Sequence, residues 1–246
     1  VGLFNTVNLE MAVGVLAAAE ELRSPVIIGS AECLLCYSGL DDLANMLLPM
    51  AKRASVPVVL HYDHGLTVER CIEALDLGFT SIMFDGSAGD ADANIELTRK
   101  VVEMCHARGV TVEGEIGHVG NADVEGDQDN NYTTPEEAKA FVEATGVDAL
   151  AVAIGTAHGA YKHKPCLDLN RLAEIRSTID TPLVLHGGSG LTDDDFRNTI
   201  KNGIAKVNIF TDLCVAGYDS VKSFEGSYLE MRNAKVKAMK EAVMKK

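Results

Sequence analysis

Apolar residues fall in eight short runs along the 246-residue chain, beginning near Val1, Pro25, Pro57, Thr80, Val110, Asp148, Pro182 and Ile204. Each run has the length of a strand and ends on polar or turn-forming residues. Between most of them, apolar positions recur every three to four residues on an otherwise charged background, the period of a helix with one buried face. Helices are therefore expected over Leu9–Arg23, Leu40–Arg53, Val68–Leu77, Ala93–Arg108 and Pro135–Thr145. Strands that alternate with helices in this way indicate parallel βαβ units, because parallel neighbours need a long crossover. Eight units in this length fit a closed (β/α)8 TIM barrel, which uses about 250 residues, better than an open doubly wound sheet. No Gly/Ser/Pro-rich linker or low-complexity tract interrupts the pattern, so residues 1–246 are expected to form a single domain.

Two stretches depart from the repeat. Residues 117–134, after the fifth run, carry four acidic residues and little hydrophobicity; a loop of this length in a barrel is expected to serve as an active-site lid. The tail, residues 227–246, reads as a basic amphipathic helix that packs on the barrel or on a partner subunit. Val1 already stands inside an apolar run, so an upstream segment is expected to be missing.

A hydrophobic content of 47% suits a sizeable core. The net charge of −14 argues against nucleic acid, which recruits clustered Lys and Arg. An anionic substrate must then be held by local groups such as backbone amides rather than by the overall field. The six cysteines are scattered, and Cys33-Leu-Leu-Cys36 lacks the second pair a structural zinc site needs. With no signal peptide and no membrane span, a cytoplasmic protein without a membrane partner is expected.

Three histidines end apolar runs: His64 the third, His158 the sixth and His186 the seventh. Active sites of this barrel lie at the C-terminal ends of its strands, so the three share one rim. Neutral imidazole is a good zinc ligand, and catalytic zinc keeps three protein ligands and one open position. Any one of these residues alone would read as a hydrogen-bonded structural histidine; three together point to a metal. Asp63 adjoins His64 and is placed for general acid/base work, with a helix cap or salt bridge as the plain alternative. Glu113 and Glu115 share one face of the fifth strand, and Glu115 lies nearer the rim. His61 reads as core or as support for the site, His106 and His163 as surface residues.

Gly187-Gly188-Ser189-Gly190 follows the seventh run, and Asn208-Ile209-Phe210-Thr211 ends the eighth. Phosphate sites in these barrels commonly form there: glycines let amides approach an anion, and Ser189 and Thr211 add hydroxyl donors. Lys162 is a candidate contact for a second phosphate, or a solvated loop lysine. His186-Gly-Gly-Ser resembles a hydrolase oxyanion loop, but no Gly-x-Ser-x-Gly elbow accompanies it. Asp90-Ala-Asp-Ala-Asn94 starts like a calcium loop, yet Ile95 and Val101 stand where Gly and Glu are required.

Across nearly the whole chain, motifs resemble those of the class II, metal-dependent ketose-bisphosphate aldolases. They are Asn5-Thr-Val-Asn-Leu-Glu10, His61-Tyr-Asp-His64, Met83-Phe-Asp85, Val112-Glu-Gly-Glu-Ile-Gly117, Ala153-Ile-Gly-Thr-Ala-His-Gly159, Leu185-His-Gly-Gly-Ser-Gly190 and Lys206-Val-Asn208. The resemblance implies reversible cleavage of a ketose phosphate, such as fructose or tagatose 1,6-bisphosphate, to dihydroxyacetone phosphate and an aldehyde. It implies one zinc ion on His64, His158 and His186, acting as a Lewis acid at the C2 carbonyl, with a monovalent cation as an optional helper. Asp63 would carry the C4 hydroxyl proton. Gly159, Gly187–Ser189 and Asn208–Thr211 would hold the dihydroxyacetone phosphate half, and Glu115 would be an alternate metal ligand. A loop glutamate that exchanges the enediolate proton in the family is replaced here by the shorter Asp123. Relatives carry Asp or Ala at the position of Phe210, so the reading of C4 stereochemistry is expected to be weak here. Relatives also begin with an extra N-terminal helix that this chain lacks. The resemblance further implies a homodimer or homotetramer. Two rivals stand beside it: a Schiff-base aldolase using Lys206, and a phosphosugar-binding barrel that has lost turnover.

Overall fold

All eight apolar runs form strands, and the strands close into one parallel barrel in chain order. They are β1 (Gly2–Asn5), β2 (Val26–Ala31), β3 (Val58–Gly65), β4 (Ser81–Phe84), β5 (Thr111–Ile116), β6 (Ala149–Val152), β7 (Leu183–Leu185) and β8 (Ile204–Ile209). Leu3 of β1 pairs with Asn208 of β8 and closes the ring. The computed structural model describes residues 1–117, 119–120, 132–162 and 165–246.

The outer layer comprises α1 (Leu9–Leu22), α2 (Leu40–Arg53), α3 (Val68–Leu77), α4 (Ala91–His106), α5 (Pro135–Thr145), α6 (Leu169–Thr178), α7 (Asp193–Lys201) and α8 (Thr211–Asp219). Caps set these limits. Thr134 and Glu137 form a capping box at the start of α5, and Gly146 ends it with φ +72°. The fourth helix begins two residues before the position its periodicity indicates. Asp90 accepts the amides of Asp92 and Ala93, which fixes the first turn there.

The tail also forms a helix, α9 (Tyr228–Met244), which packs on α1 and α8 of its own barrel. Met239 is its anchor and is buried. A Cβ at Gly14 would stand 3.2 Å from Met239 Cβ, and one at Gly217 would stand 2.3 Å from Met239 Cε. Two glycines on neighbouring helices thus make the seat for one thioether side chain. Among the described residues, no helix is long and apolar enough to cross a membrane.

Apolar side chains fill the space between barrel and helices, as expected. The barrel interior is different. Besides a small apolar group of Met83, Ala151 and Val184, it buries His61, Glu113 and Lys206, with Asp63, Glu115, His186 and Asn208. Branched aliphatic residues usually fill such a barrel. Charged groups here are expensive unless mutually satisfied, which directs attention to the C-terminal rim.

Candidate active site

The local backbone of β3 explains how two adjacent residues reach one cavity. Successive strand residues normally point to opposite faces. β3 pairs with β4 regularly at His61 and Tyr62, then shifts register before Gly65. Within the shift, His64 takes φ +48°, a left-handed conformation that costs a non-glycine residue about 1–2 kcal/mol. The irregularity turns His64 inward, so that both it and Asp63 line the same cavity. Backbone strain of this kind accumulates where a site needs it.

The structure brings His64, His158 and His186 together from β3 and from the loops after β6 and β7. Their ring centroids lie 4.5 to 5.7 Å apart, and one nitrogen of each falls within 4.8 Å of the others. Carboxylates fix two of the rings from behind. His64 Nδ1 lies 2.7 Å from Asp85 Oδ2, and His186 Nε2 lies 2.9 Å from Glu113 Oε1. An ionised carboxylate only accepts, so these ring nitrogens donate, leaving His64 Nε2 and His186 Nδ1 as the inward nitrogens, which carry lone pairs when both rings are neutral. Those two nitrogens face each other at 2.8 Å. His158 Nε2 is buried with no partner at all. A buried nitrogen without a partner is costly, and one beside two convergent lone pairs fits a metal.

The electrostatics favour a cation at this point. Burial opposes charge on His64, yet Asp63, Asp85 and Glu115 push its pKa up to about 10. Burial and the charge on His64 then hold His158 down to about 3 and lower His186 as well. One positive charge is therefore welcome among these carboxylates and a second is not, and a divalent ion can replace the proton by binding all three neutral-capable rings.

Asp63 is buried beside this cluster. Its Oδ2 accepts from Asn5 Nδ2 at 2.7 Å and its Oδ1 from Asn208 Nδ2 at 3.0 Å. Although burial favours its neutral form, His64, His61, His186 and Lys206 hold its carboxyl well below the usual carboxylate range. Glu115 differs. Burial and the charge on Asp85 raise it to about 8; Ser87 Oγ touches one oxygen at 3.2 Å, and the other has no partner. Two nearby carboxyl groups thus differ in protonation, which suits acid and base roles.

Lys206 does not reach the cavity. Its ammonium is buried in the barrel interior, paired with Glu113 Oε2 and 3.3 Å from His61 Nε2. An amine committed to a buried carboxylate is a poor Schiff-base nucleophile, and the lysine rival loses its residue. His61 is interior support, as its position suggested, and also contacts Ser81 Oγ at 2.8 Å. His106 is exposed and pairs with Asp148.

A cavity of about 420 Å³ opens over the histidines. Gly159, Gly187, Ser189, Asn208, Ile209, Phe210 and Thr211 all line it. Ser189 Oγ accepts the amides of Phe210 and Asp212 at 3.2 Å each, so its own proton is free to turn toward a ligand at the start of α8. Gly188 stands apart: its amide already donates to Asn208 O at 2.9 Å. A Cβ there would meet Val207 Cγ1 at 2.5 Å, so glycine is required for packing of β7 on β8. Lys162 is exposed and is not among the lining residues. Asp123 and His163 lie outside the described residues, as does most of the 117–134 loop. Sequence reasoning assigned no role to Asn5, Asp85, Ser87 or Glu113. Asn5 and Asp85 end β1 and β4 at the same rim, a placement that could have flagged them.

The fold and this cluster suit metal-assisted chemistry at a barrel rim, and comparison with known proteins supplies the class. The profile of the family described as "Fructose-bisphosphate aldolase class-II" matches residues 1–246. The Escherichia coli K12 protein YdjI is 43% identical over 246 residues, covering 99% of this chain and 88% of the relative. The crystal structure of that YdjI aldolase superposes with a TM-score of 0.89, over 100% of this chain and 88% of the other. The fructose-bisphosphate aldolase of Thermus caldophilus is 43% identical over 242 residues, 88% of this chain and 79% of the relative. A 6-phospho-5-dehydro-2-deoxy-D-gluconate aldolase of Shouchella clausii is 42% identical over 226 residues, 91% and 77% of the two chains. The chain belongs to the class II fructose-bisphosphate aldolase family. It is an aldolase, a carbon–carbon lyase whose family acts on phosphorylated sugars.

Proposed function

We propose that the chain binds one zinc ion at His64, His158 and His186 and cleaves ketose 1-phosphates reversibly to dihydroxyacetone phosphate and an aldehyde. The observation that carries this reading is the unpartnered His158 Nε2 beside two imidazoles whose outer nitrogens are fixed by Asp85 and Glu113. Zinc there supplies a Lewis acid for the carbonyl and for the negative charge that cleavage leaves on its oxygen. Asp63, oriented by two asparagine amides, takes the C4 hydroxyl proton as the C3–C4 bond breaks and returns it in condensation. Ser189 and the amides at the start of α8, with Gly159 and Gly187, anchor the C1 phosphate. Asp123 is the carboxyl group assigned to the proton that C3 gains, and Glu115 is assigned as an alternate metal ligand. Residues 1–246 work as one domain, in a cytoplasmic homodimer or homotetramer. Relatives at 43% and 42% identity carry names with different substrates, fructose bisphosphate and a deoxy-ketogluconate phosphate, so identity alone does not choose the sugar.

The test is release of dihydroxyacetone phosphate from fructose and tagatose 1,6-bisphosphates and from ketose 1-phosphates. Metal-stripped enzyme should be inactive and zinc should restore it. Equal activity with and without metal would refute the assignment.

A further inference from the structure

We infer that the aldehyde released by this enzyme carries no phosphate and no other negative charge, so that its preferred substrates are ketose 1-monophosphates. The inference rests on the proposed cleavage reaction and concerns the half of the cavity that reaction leaves unassigned.

The loops around the rim divide the cavity into two arcs. Those after β6, β7 and β8 supply Gly159, Gly187, Ser189 and Thr211, the groups suited to the C1 phosphate. The loops after β2 to β5 supply Cys33, Leu34, Leu66, Ala88 and Val119, and Phe210 lines the cavity from the end of β8, with β1 between it and β2. A ketose with its C1 phosphate on the first arc and C2 over the histidines lays its aldehyde half across the second.

That second arc is apolar and electronegative. Its acidic lining groups are Asp63, Asp85 and Glu115, beside the Ser87 hydroxyl and apart from His64, which belongs to the metal cluster. Among the described residues, no Lys or Arg lines the cavity. A second phosphate would thus meet carboxylates and apolar carbon where recognition needs cations or amides. Phe210 offers no hydrogen bond to a hydroxyl and packs partly into the barrel wall. An apolar surface of this kind selects by fit and by exclusion of charge, not by pairing.

The zinc-loaded enzyme is first tested for exchange of the hydroxymethyl protons of dihydroxyacetone phosphate with deuterated solvent, followed by NMR. This step needs no aldehyde and examines the underlying reaction alone. Condensation is then compared between glyceraldehyde 3-phosphate and uncharged aldehydes of similar length, glyceraldehyde and propionaldehyde. We expect kcat/KM to favour the uncharged aldehydes by at least about tenfold, the lower end of what an apolar pocket discriminates. Leu66 is 59% exposed, so Leu66→Lys should fold, and it places a cation on the second arc. It should move the ratio of kcat/KM values toward glyceraldehyde 3-phosphate by about tenfold or more. Exchange accompanied by a preference for glyceraldehyde 3-phosphate would overturn the inference, and so would a ratio that Leu66→Lys leaves unchanged. Absence of exchange and of all condensation would instead remove the cleavage reaction on which it rests.

Discussion

Replacing Lys206 by methionine removes an ammonium from the barrel interior while nearly keeping the length of the side chain. Lys206 is 7% exposed and Glu113 2%, so neither can turn to water for compensation. Without Lys206, the Glu113 carboxylate keeps His186 Nε2 as its hydrogen-bond partner and loses its balancing charge. Breaking one side of a buried ion pair costs roughly 3–5 kcal/mol, because the remaining charge is neither paired nor hydrated. At about 2–4 °C per kcal/mol for a domain of this size, the melting temperature should fall by roughly 6–20 °C. Differential scanning calorimetry of the metal-free protein measures this without interference from ligand linkage. Adding Glu113→Gln removes the stranded charge, so the double variant should be more stable than Lys206→Met alone. A melting temperature within about 2 °C of wild type for Lys206→Met, about 0.5–1 kcal/mol, would refute the reasoning and mean that the pair is already hydrated. Borohydride with substrate should leave wild-type Lys206 unmodified, since its amine is held in this pair.

The remaining expectations concern the rim and the tail. His158→Ala should lose stoichiometric zinc by elemental analysis, and full retention would remove His158 from the ligand set. Asp85→Ala frees the His64 ring and should weaken zinc about 10–100-fold in a chelator competition, the usual effect of losing a carboxylate that orients a ligand. Asp63→Ala should retain zinc and lose roughly 10²–10⁴-fold in cleavage rate; loss of the metal instead would make Asp63 a support for the site. Met239→Ala empties the seat formed by Gly14 and Gly217 and should cost about 2–5 kcal/mol in denaturant unfolding. An unchanged midpoint would mean that α9 is not anchored there.

The barrel was legible because its signals are local. Helix limits at Leu40–Arg53, Val68–Leu77 and Pro135–Thr145 coincide with those expected from periodicity, since caps and turn glycines sit beside the apolar runs they end. The fourth helix begins two residues early because Asp90 caps it, accepting the amides of Asp92 and Ala93. The eight strands were equally clear, being short runs bounded by breakers.

The site was legible only as far as strand ends could be placed. His64, His158 and His186 could be assigned to one rim, but nothing in their spacing shows what stands behind each ring. That information lies in residues far away along the chain: Asp85 serves His64, and Glu113 serves His186 from 73 positions upstream. Glu113 illustrates why such partners escape. Read along β5, it merely shares a face with Glu115, and nothing marks what it pairs with; in the barrel it sits one layer deeper, where Lys206 and His61 neutralise it. Two residues of strand thus separate a carboxylate held ionised as structure from one raised to about 8 at the cavity wall. The left-handed turn at His64 escapes for a different reason. A regular strand would send Asp63 and His64 to opposite faces, so their adjacency argues against a shared site unless the backbone breaks between β3 and β4. The strain at that break is the local cost of placing a proton carrier and a metal ligand side by side, and no periodicity in the sequence could announce it.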